Sequence, residues 1–227
     1  MTFPSDSSAQ LGAPGPIESG SATNSRSQTF RAIREIVETL LLAALIFFLV
    51  RLVVLNFRVD GQSMTPNLQN EQMLLVNRNA YQSVDWQGNK FYPFDPPERG
   101  DIVVFNPPTE SEKPYIKRII GLPGDEVTFS NGQVFVNGHM LEEDYIEDRT
   151  RCQRDDFCDV VVPEGMIFVL GDHRSNSSDS RVFGPVPIEN VIGKAWLSYW
   201  PVADIGFVPH EEYTDIPNPV AEATPAA

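Results

Sequence analysis

Residues 31–57 read RAIREIVETLLLAALIFFLVRLVVLNF. The stretch from Leu40 to Val50 carries no charge, and Ile36 to Phe57 gives 22 residues interrupted only by Glu38 and Arg51. About 20 apolar residues suffice to cross a hydrocarbon core. Three readings compete. A buried helix of a soluble protein is one, because Glu38 and Arg51 interrupt the apolar run. A cleaved signal peptide needs a small-x-small site just beyond it, whereas Val53 to Asp60 reads VVLNFRVD. An uncleaved transmembrane anchor fits best, with Arg51 near enough to one end to snorkel.

Outward from the anchor, residues 1–30 are rich in Ser, Gly, Pro, Ala and Thr and lack apolar periodicity, as a disordered tail does. Arg26, Arg31 and Arg34 precede the apolar run, so the positive-inside rule puts the N-terminus in the cytoplasm and the rest outside. Beyond Phe57 the signals are short and β-like: Gln72–Val76, Asp101–Phe105, Glu126–Phe129, Gln133–Val136 and Met166–Leu170. Asn131-Gly132 and Asn137-Gly138 separate such runs as hairpin turns. No long helical period follows the anchor. The expected fold is mainly β, with tail 1–30, anchor 31–57, an extracytoplasmic catalytic domain 58–208 and an acidic Pro/Ala-rich tail 209–227.

The formal net charge of −14 repels phosphate backbones, which argues against nucleic acid as a partner. Cys152 and Cys158 have no histidine near them in sequence and make no structural zinc site by themselves. Outside the cytoplasm they are expected to form a disulfide.

Three stretches carry chemistry. In Gly61-Gln62-Ser63-Met64-Thr65-Pro66 a glycine and a proline bracket one hydroxyl, although an ordinary polar turn reads the same way. In Tyr115 to Asp125, YIKRIIGLPGD, a strand sets Tyr115, Lys117 and Ile119 on one face. A lysine desolvated there loses basicity and can deprotonate a serine; a snorkelling surface lysine is the alternative. In Gly171 to Arg181, GDHRSNSSDSR, the density of Asp, Arg, Asn and Ser suits a hydrogen-bonded loop beside a site, or a solvated one.

Taken in order, the three stretches resemble the boxes of the bacterial type I signal peptidase family, serine proteases that use a Ser-Lys dyad. Ser63-Met64-Thr65-Pro66 matches Ser-Met-x-Pro, Lys117 to Asp125 matches Lys-Arg-x-x-Gly-x-Pro-Gly-Asp, and Gly171 to Arg181 matches the third box with His173 where asparagine is usual. Arg99 to Phe105 also looks like a family element. The resemblance implies Ser63 as nucleophile, Lys117 as general base and Ser177 as the hydroxyl that aims the amine. Asp179 and Arg181, with Arg118, would brace the site by ion pairing. The Ser63 N–H would be one oxyanion donor; Gly61 stands where some members carry a second, hydroxyl donor. Phe57, Val59, Met64, Leu68, Leu74, Tyr115 and Ile116 would line small pockets for the Ala-x-Ala ends of signal peptides, or else serve as plain core.

The implied partners are preproteins, membrane lipid and the export machinery, with no cofactor and no metal. The implied location is a plasma (inner) membrane or an internal, thylakoid-type membrane. A Ser63–His173–Asp triad is the rival chemistry, and it leaves Lys117 without a role. A self-cleaving repressor would need a DNA-binding domain and no anchor. An inactive anchored binding protein would have no need of an intact Ser63 and Lys117.

Overall fold

The computed structural model describes residues 23–86 and 89–216. Most of the expected N-terminal tail (1–22) and the end of the expected C-terminal one (217–227) lie outside the described residues. The chain divides into two compact units at Phe48 and Leu49.

Helix α1 runs over Thr23–Val53. Its portion Thr29–Val53 has a mean hydropathy of 2.5 and is long and apolar enough to cross a membrane. Leucines, isoleucines and phenylalanines point outward all along it, with Leu41 65% and Phe47 67% exposed. The helix stops four residues short of the expected span. Val54–Arg58 instead form strand β1, because Leu55 pairs with Val76 and Phe57 with Leu74 in an antiparallel ladder. Both Leu55 and Phe57 then pack on the core.

The remaining strands follow as β2 (Met73–Asn77), β3 (Val84–Trp86), β4 (Asn89–Phe91), β5 (Ile102–Phe105), β6 (Tyr115–Gly121), β7 (Glu126–Ser130) and β8 (Gln133–Val136). After them come β9 (His139–Met140), β10 (Asp159–Val161), β11 (Met166–Leu170), β12 (Val186–Pro187), β13 (Val191–Trp200) and β14 (Gly206–Phe207), with a four-residue helix α2 at Ser180–Phe183. The chain after α1 is thus mainly β. One large sheet has the order β1-β2-β13-β5-β6-β11-β12, with β14 on β13; a second has β10-β7-β8-β9. Asn131-Gly132 and Asn137-Gly138 each adopt two successive positive φ values. Two-residue hairpin turns require this, and Asn-Gly supplies it most readily.

Side-chain alternation in β5 explains why the large sheet is buried on both faces. Ile102 and Val104 enter one apolar cluster, with Val59, Met64, Leu68, Leu74 and Ile116. Val103 and Phe105 enter another, with Ile119, Ile167 and Val169. A third gathers Ile120, Phe168 and Leu170 under the second sheet. Strand β6 contributes to all three, through Ile116, Ile119 and Ile120.

The segment after Val208 departs from the expected loose tail. Ile216 is 5% exposed, and its carbonyl accepts from Arg99 Nη1 at 2.9 Å. His210 Nδ1 accepts from the Ile102 N–H at 3.0 Å, and its Nε2 lies 2.8 Å from the Ala195 carbonyl. A Cβ on Gly100 would sit 1.9 Å from the Glu211 carbonyl oxygen. These anchors run through backbone groups, which leave no mark in composition.

This arrangement requires a neutral His210 bearing its proton on Nε2. Burial pushes its pKa below the ordinary histidine value, although the Asp101 carboxylate opposes the fall. A depressed folded pKa means the unfolded chain takes up the proton first. The stability this group supplies is therefore present above the unfolded value, about 6.5, and is lost as pH falls below it. Between pH 7 and 5 the thermal midpoint of the wild type should fall more than that of His210→Gln; parallel curves by differential scanning calorimetry would refute the role.

Candidate active site

Ser63 sits on the turn that joins β1 to β2. The turn is closed by Val59 and Gln72, which bond backbone to backbone at 2.9 Å, and by Asn70 Oδ1 accepting from the Gly61 N–H at 2.8 Å. Met64 and Leu68, fully buried, pin it to the first apolar cluster. Ser63 is therefore left partly exposed beside a fixed anchor. Gly61 has φ +98° with open space around it; a side chain there is opposed by backbone conformation and not by crowding.

Lys117 lies in β6 opposite Val103 of β5 and is 4% exposed. Its Nζ is 2.7 Å from Ser63 Oγ and 2.8 Å from the Ile116 carbonyl. The Tyr115 ring centroid is 5.3 Å away. Burial lowers its pKa to about 8, against the opposing pull of the Asp179 and Asp172 carboxylates and with help from Arg181. The charged amine donates to the serine oxygen. The neutral amine can accept the hydroxyl proton across the same 2.7 Å.

The Gly171–Arg181 loop closes the site. Arg118 holds Asp172 with two bonds, Nε to Oδ1 at 2.9 Å and Nη2 to Oδ2 at 2.8 Å, both side chains being fully buried. Arg181 holds Asp179 in the same two-pronged way at 2.8 and 2.7 Å. Asp179 Oδ2 also accepts the Gly171 N–H. The acid that Arg118 pairs with is thus Asp172, and the Asp179–Arg181 pair is separate from it. Ser177 also differs from expectation: among the described residues its buried hydroxyl has no hydrogen-bond partner, Lys117 included. A methyl on Gly171 would lie 2.2 Å from Ser177 Oγ and 2.6 Å from the Ser63 carbonyl oxygen. Only glycine lets the loop and the nucleophile turn meet there.

His173 touches the turn but not the Ser63 hydroxyl. Its Nδ1 is 2.9 Å from Thr65 Oγ1 and 3.1 Å from the Gln62 carbonyl. Asp172, engaged by Arg118, is not free to orient it. A Ser-His-Asp triad is not assembled. Five of the seven expected pocket residues, Val59, Met64, Leu68, Leu74 and Ile116, lie in the first cluster, with Phe57 packed on its edge. Tyr115 packs on the second cluster instead. Cys152 and Cys158 are disulfide-bonded. Among the described residues no group of His, Cys, Asp and Glu is placed to hold a metal.

Several site residues escaped the sequence. Asn67 Nδ2 donates to Asp172 Oδ2 at 2.8 Å and to the Tyr145 carbonyl at 2.9 Å. The Tyr145 ring lies 4.1 Å from the Arg118 guanidinium carbon. Arg174, also buried, holds Glu143 at 2.9 and 2.6 Å. Asp172 was open to discovery, as an acid inside a box opposite an arginine inside another; Tyr145 and Glu143 belong to no motif.

A serine hydroxyl in contact with a buried lysine amine, beside two arginine–carboxylate pairs, is an arrangement suited to serine-protease chemistry. Residues 33–200 match the family described as Signal peptidase, peptidase S26. The chain is 39% identical over 181 residues to the "Probable signal peptidase I-2" of Synechocystis sp., covering 77% of this chain and 76% of that one. It is 39% identical over 156 residues to a signal peptidase I of Leptolyngbya laminosa (65% and 70% covered). With a signal peptidase I of Bacillus caldolyticus it shares 36% identity over 163 residues (67% and 82%). A crystal structure of a signal peptidase I from Enterococcus faecalis is 34% identical, with a TM-score of 0.37, covering 44% of this chain and 97% of that one. The chain belongs to the type I signal peptidases of family S26.

Lys117 carries a stability cost. Its depressed pKa means that the stabilising contribution exists only above its unfolded value, about 10.4, and is gone below about 8. Lys117→Met should therefore raise the unfolding free energy at pH 7 by about 1–3 kcal/mol, measured by urea titration, and the gain should shrink toward pH 10. A destabilised Met variant at pH 7 would contradict the burial argument. Gly171→Ala should fold with a lowered thermal midpoint and lose at least about tenfold in proteolytic rate, since its methyl displaces Ser177 or the Ser63 backbone; unchanged kinetics would show that the close approach is not needed.

Proposed function

We propose that this protein is a membrane-anchored endopeptidase that removes N-terminal signal peptides from exported preproteins. Ser63 acts as nucleophile and Lys117 as general base. The observation that carries this reading is the 2.7 Å contact between Ser63 Oγ and an amine that burial holds near pKa 8. The neutral amine takes the hydroxyl proton as Ser63 attacks the scissile carbonyl. The resulting ammonium protonates the leaving amine, and the regenerated amine then activates a water to hydrolyse the acyl-enzyme. The Ser63 N–H faces the developing oxyanion. Ser177, whose buried hydroxyl lies against Gly171, aims the amine. The Arg118–Asp172 and Arg181–Asp179 pairs hold the loop that carries Ser177.

The signal peptide's Ala-x-Ala end packs beside Phe57 and Tyr115, which retain surface, over a floor that includes Ile116 and Met64. Small pockets reject larger side chains by steric clash. Residues 29–53 cross the membrane, with Arg31 and Arg34 keeping the N-terminus cytoplasmic. The domain that follows then stands outside, where preproteins emerge from the export machinery.

The test uses the full chain in lipid vesicles and a preprotein with an Ala-x-Ala site. Ser63→Ala and Lys117→Ala should abolish cleavage, whereas His173→Ala should retain a measurable part of it. Replacing the last alanine of the site by leucine should block cutting. For the wild type, kcat/KM should rise with pH through an acidic limb near 8. Full activity of Lys117→Ala would end the dyad reading.

A further inference from the structure

We infer that His173 is a positioning residue for the nucleophile turn, acting on Ser63 from both sides through Gln62, Thr65 and the Ser63 carbonyl. The inference rests on the reading of Ser63 as nucleophile. The His173 backbone N–H donates to the Ser63 carbonyl at 3.0 Å. Its imidazole Nδ1 stands 2.9 Å from Thr65 Oγ1 and 3.1 Å from the Gln62 carbonyl. One residue thus bonds to the backbone of Ser63, to Gln62 before it and to Thr65 two residues after it. The turn's own bonds converge on the same carbonyl, Thr65 N–H at 3.2 Å and Thr65 Oγ1 at 2.9 Å to Gln62 O.

On its other edge the ring faces a carboxylate. His173 Nε2 is 3.6 Å from Asp148 Oδ2, and that oxygen is fixed by the Ser175 hydroxyl at 2.5 Å and the Ser175 N–H at 3.3 Å. Both neutral tautomers keep a bond to the turn. With the proton on Nδ1, the ring donates to Gln62 O. With the proton on Nε2, Nδ1 accepts the Thr65 hydroxyl, whose proton then turns away from Gln62 O, while Nε2–H points toward Asp148. Either neutral tautomer therefore keeps the clasp. The ring does not touch the Ser63 hydroxyl, so it takes no part in proton transfer. Its effect is geometric: it limits rotation of the Gln62-Ser63 and Met64-Thr65 peptides, and so the direction in which Oγ meets an incoming carbonyl.

Asparagine separates this role from bulk. Its side-chain amide reaches the position of Nδ1 and can donate to Gln62 O or accept from Thr65, but it falls short of Asp148. A leucine has similar volume and neither hydrogen-bonding atom. The experiment measures kcat and KM on a preprotein, the rate of Ser63 acylation by a serine-directed probe, and the thermal midpoint, for wild type, His173→Asn, His173→Leu and Thr65→Val. His173→Leu should lose about tenfold in kcat and in acylation rate, with KM within about twofold and an unchanged thermal midpoint. His173→Asn should restore most of the rate. Adding His173→Leu to Thr65→Val should cost less than it does in the wild type, because the two share a bond. An Asn variant as slow as Leu, a fully active Leu variant, or additive losses would each overturn the clasp while leaving the dyad intact. Cleavage surviving in Ser63→Ala would instead remove the reading beneath it.

Discussion

The buried pair of Arg118 and Asp172 is the constraint on which the site depends. Arg118 sits next to Lys117 in β6, so whatever fixes the guanidinium fixes the strand that presents the amine. Asp172 stands two residues from Arg174 in the loop that carries Ser177. Asn67, four residues beyond Ser63, donates to the same carboxylate. Two further bonds run from Arg118 Nη1 to the carbonyls of Gly100 and Pro209. The strand of Lys117, the turn of Ser63, the Gly171–Arg181 loop and the segment after Val208 thus meet at one ion pair. With both partners at 0% exposure, loss of either leaves an uncompensated buried charge, which costs about 3–5 kcal/mol. Tyr145 covers the guanidinium face and keeps water away.

Burial has opposite meanings for the two neighbours in β6. Arg118 remains charged because its fork is matched by a carboxylate and two carbonyls. Among the described residues no carboxylate touches the Lys117 amine, which bonds to the Ser63 hydroxyl and the Ile116 carbonyl, so desolvation prevails and the amine is weakened. A lysine at 118 and an arginine at 117 would serve neither role. The three apolar clusters that meet at β6 supply the dry surroundings both effects need.

Much of this could be read from the sequence. The short apolar, often β-branched runs marked β2, β5, β7, β8 and β11 to within a residue or so; β2 and β8 alternate between buried and less buried faces, whereas β5 and β11 are buried almost throughout. The Asn-Gly pairs marked the hairpins because few other dipeptides accept two positive φ values. The three boxes directed attention to Ser63, Lys117 and the Gly171–Arg181 loop. Less visible was the end of α1: Val54 to Phe57 are as apolar as the helix before them, and only pairing with Met73–Asn77 makes them a strand. Ion-pair partners were hidden for a related reason. Several arginines and acids crowd the boxes, and spacing along the chain does not say which meets which. Tyr145, Glu143 and the segment 209–216 act through a ring face, a loop carboxylate and backbone carbonyls, none of which forms a pattern.

The tucked-in end of the chain has a consequence for timing. Ribosomes deliver the N-terminus first, so Ser63 and Lys117 exist long before Pro209, His210 and Ile216 do. Until those residues arrive, Arg118 lacks one of its carbonyls, the Ile102 amide lacks its imidazole acceptor, and Arg99 lacks the Ile216 oxygen. A growing chain therefore carries Ser63 and Lys117 before the bonds that close their surroundings. Residues 209–216 have to be made and docked before the surroundings of Arg118 and its neighbour Lys117 are complete.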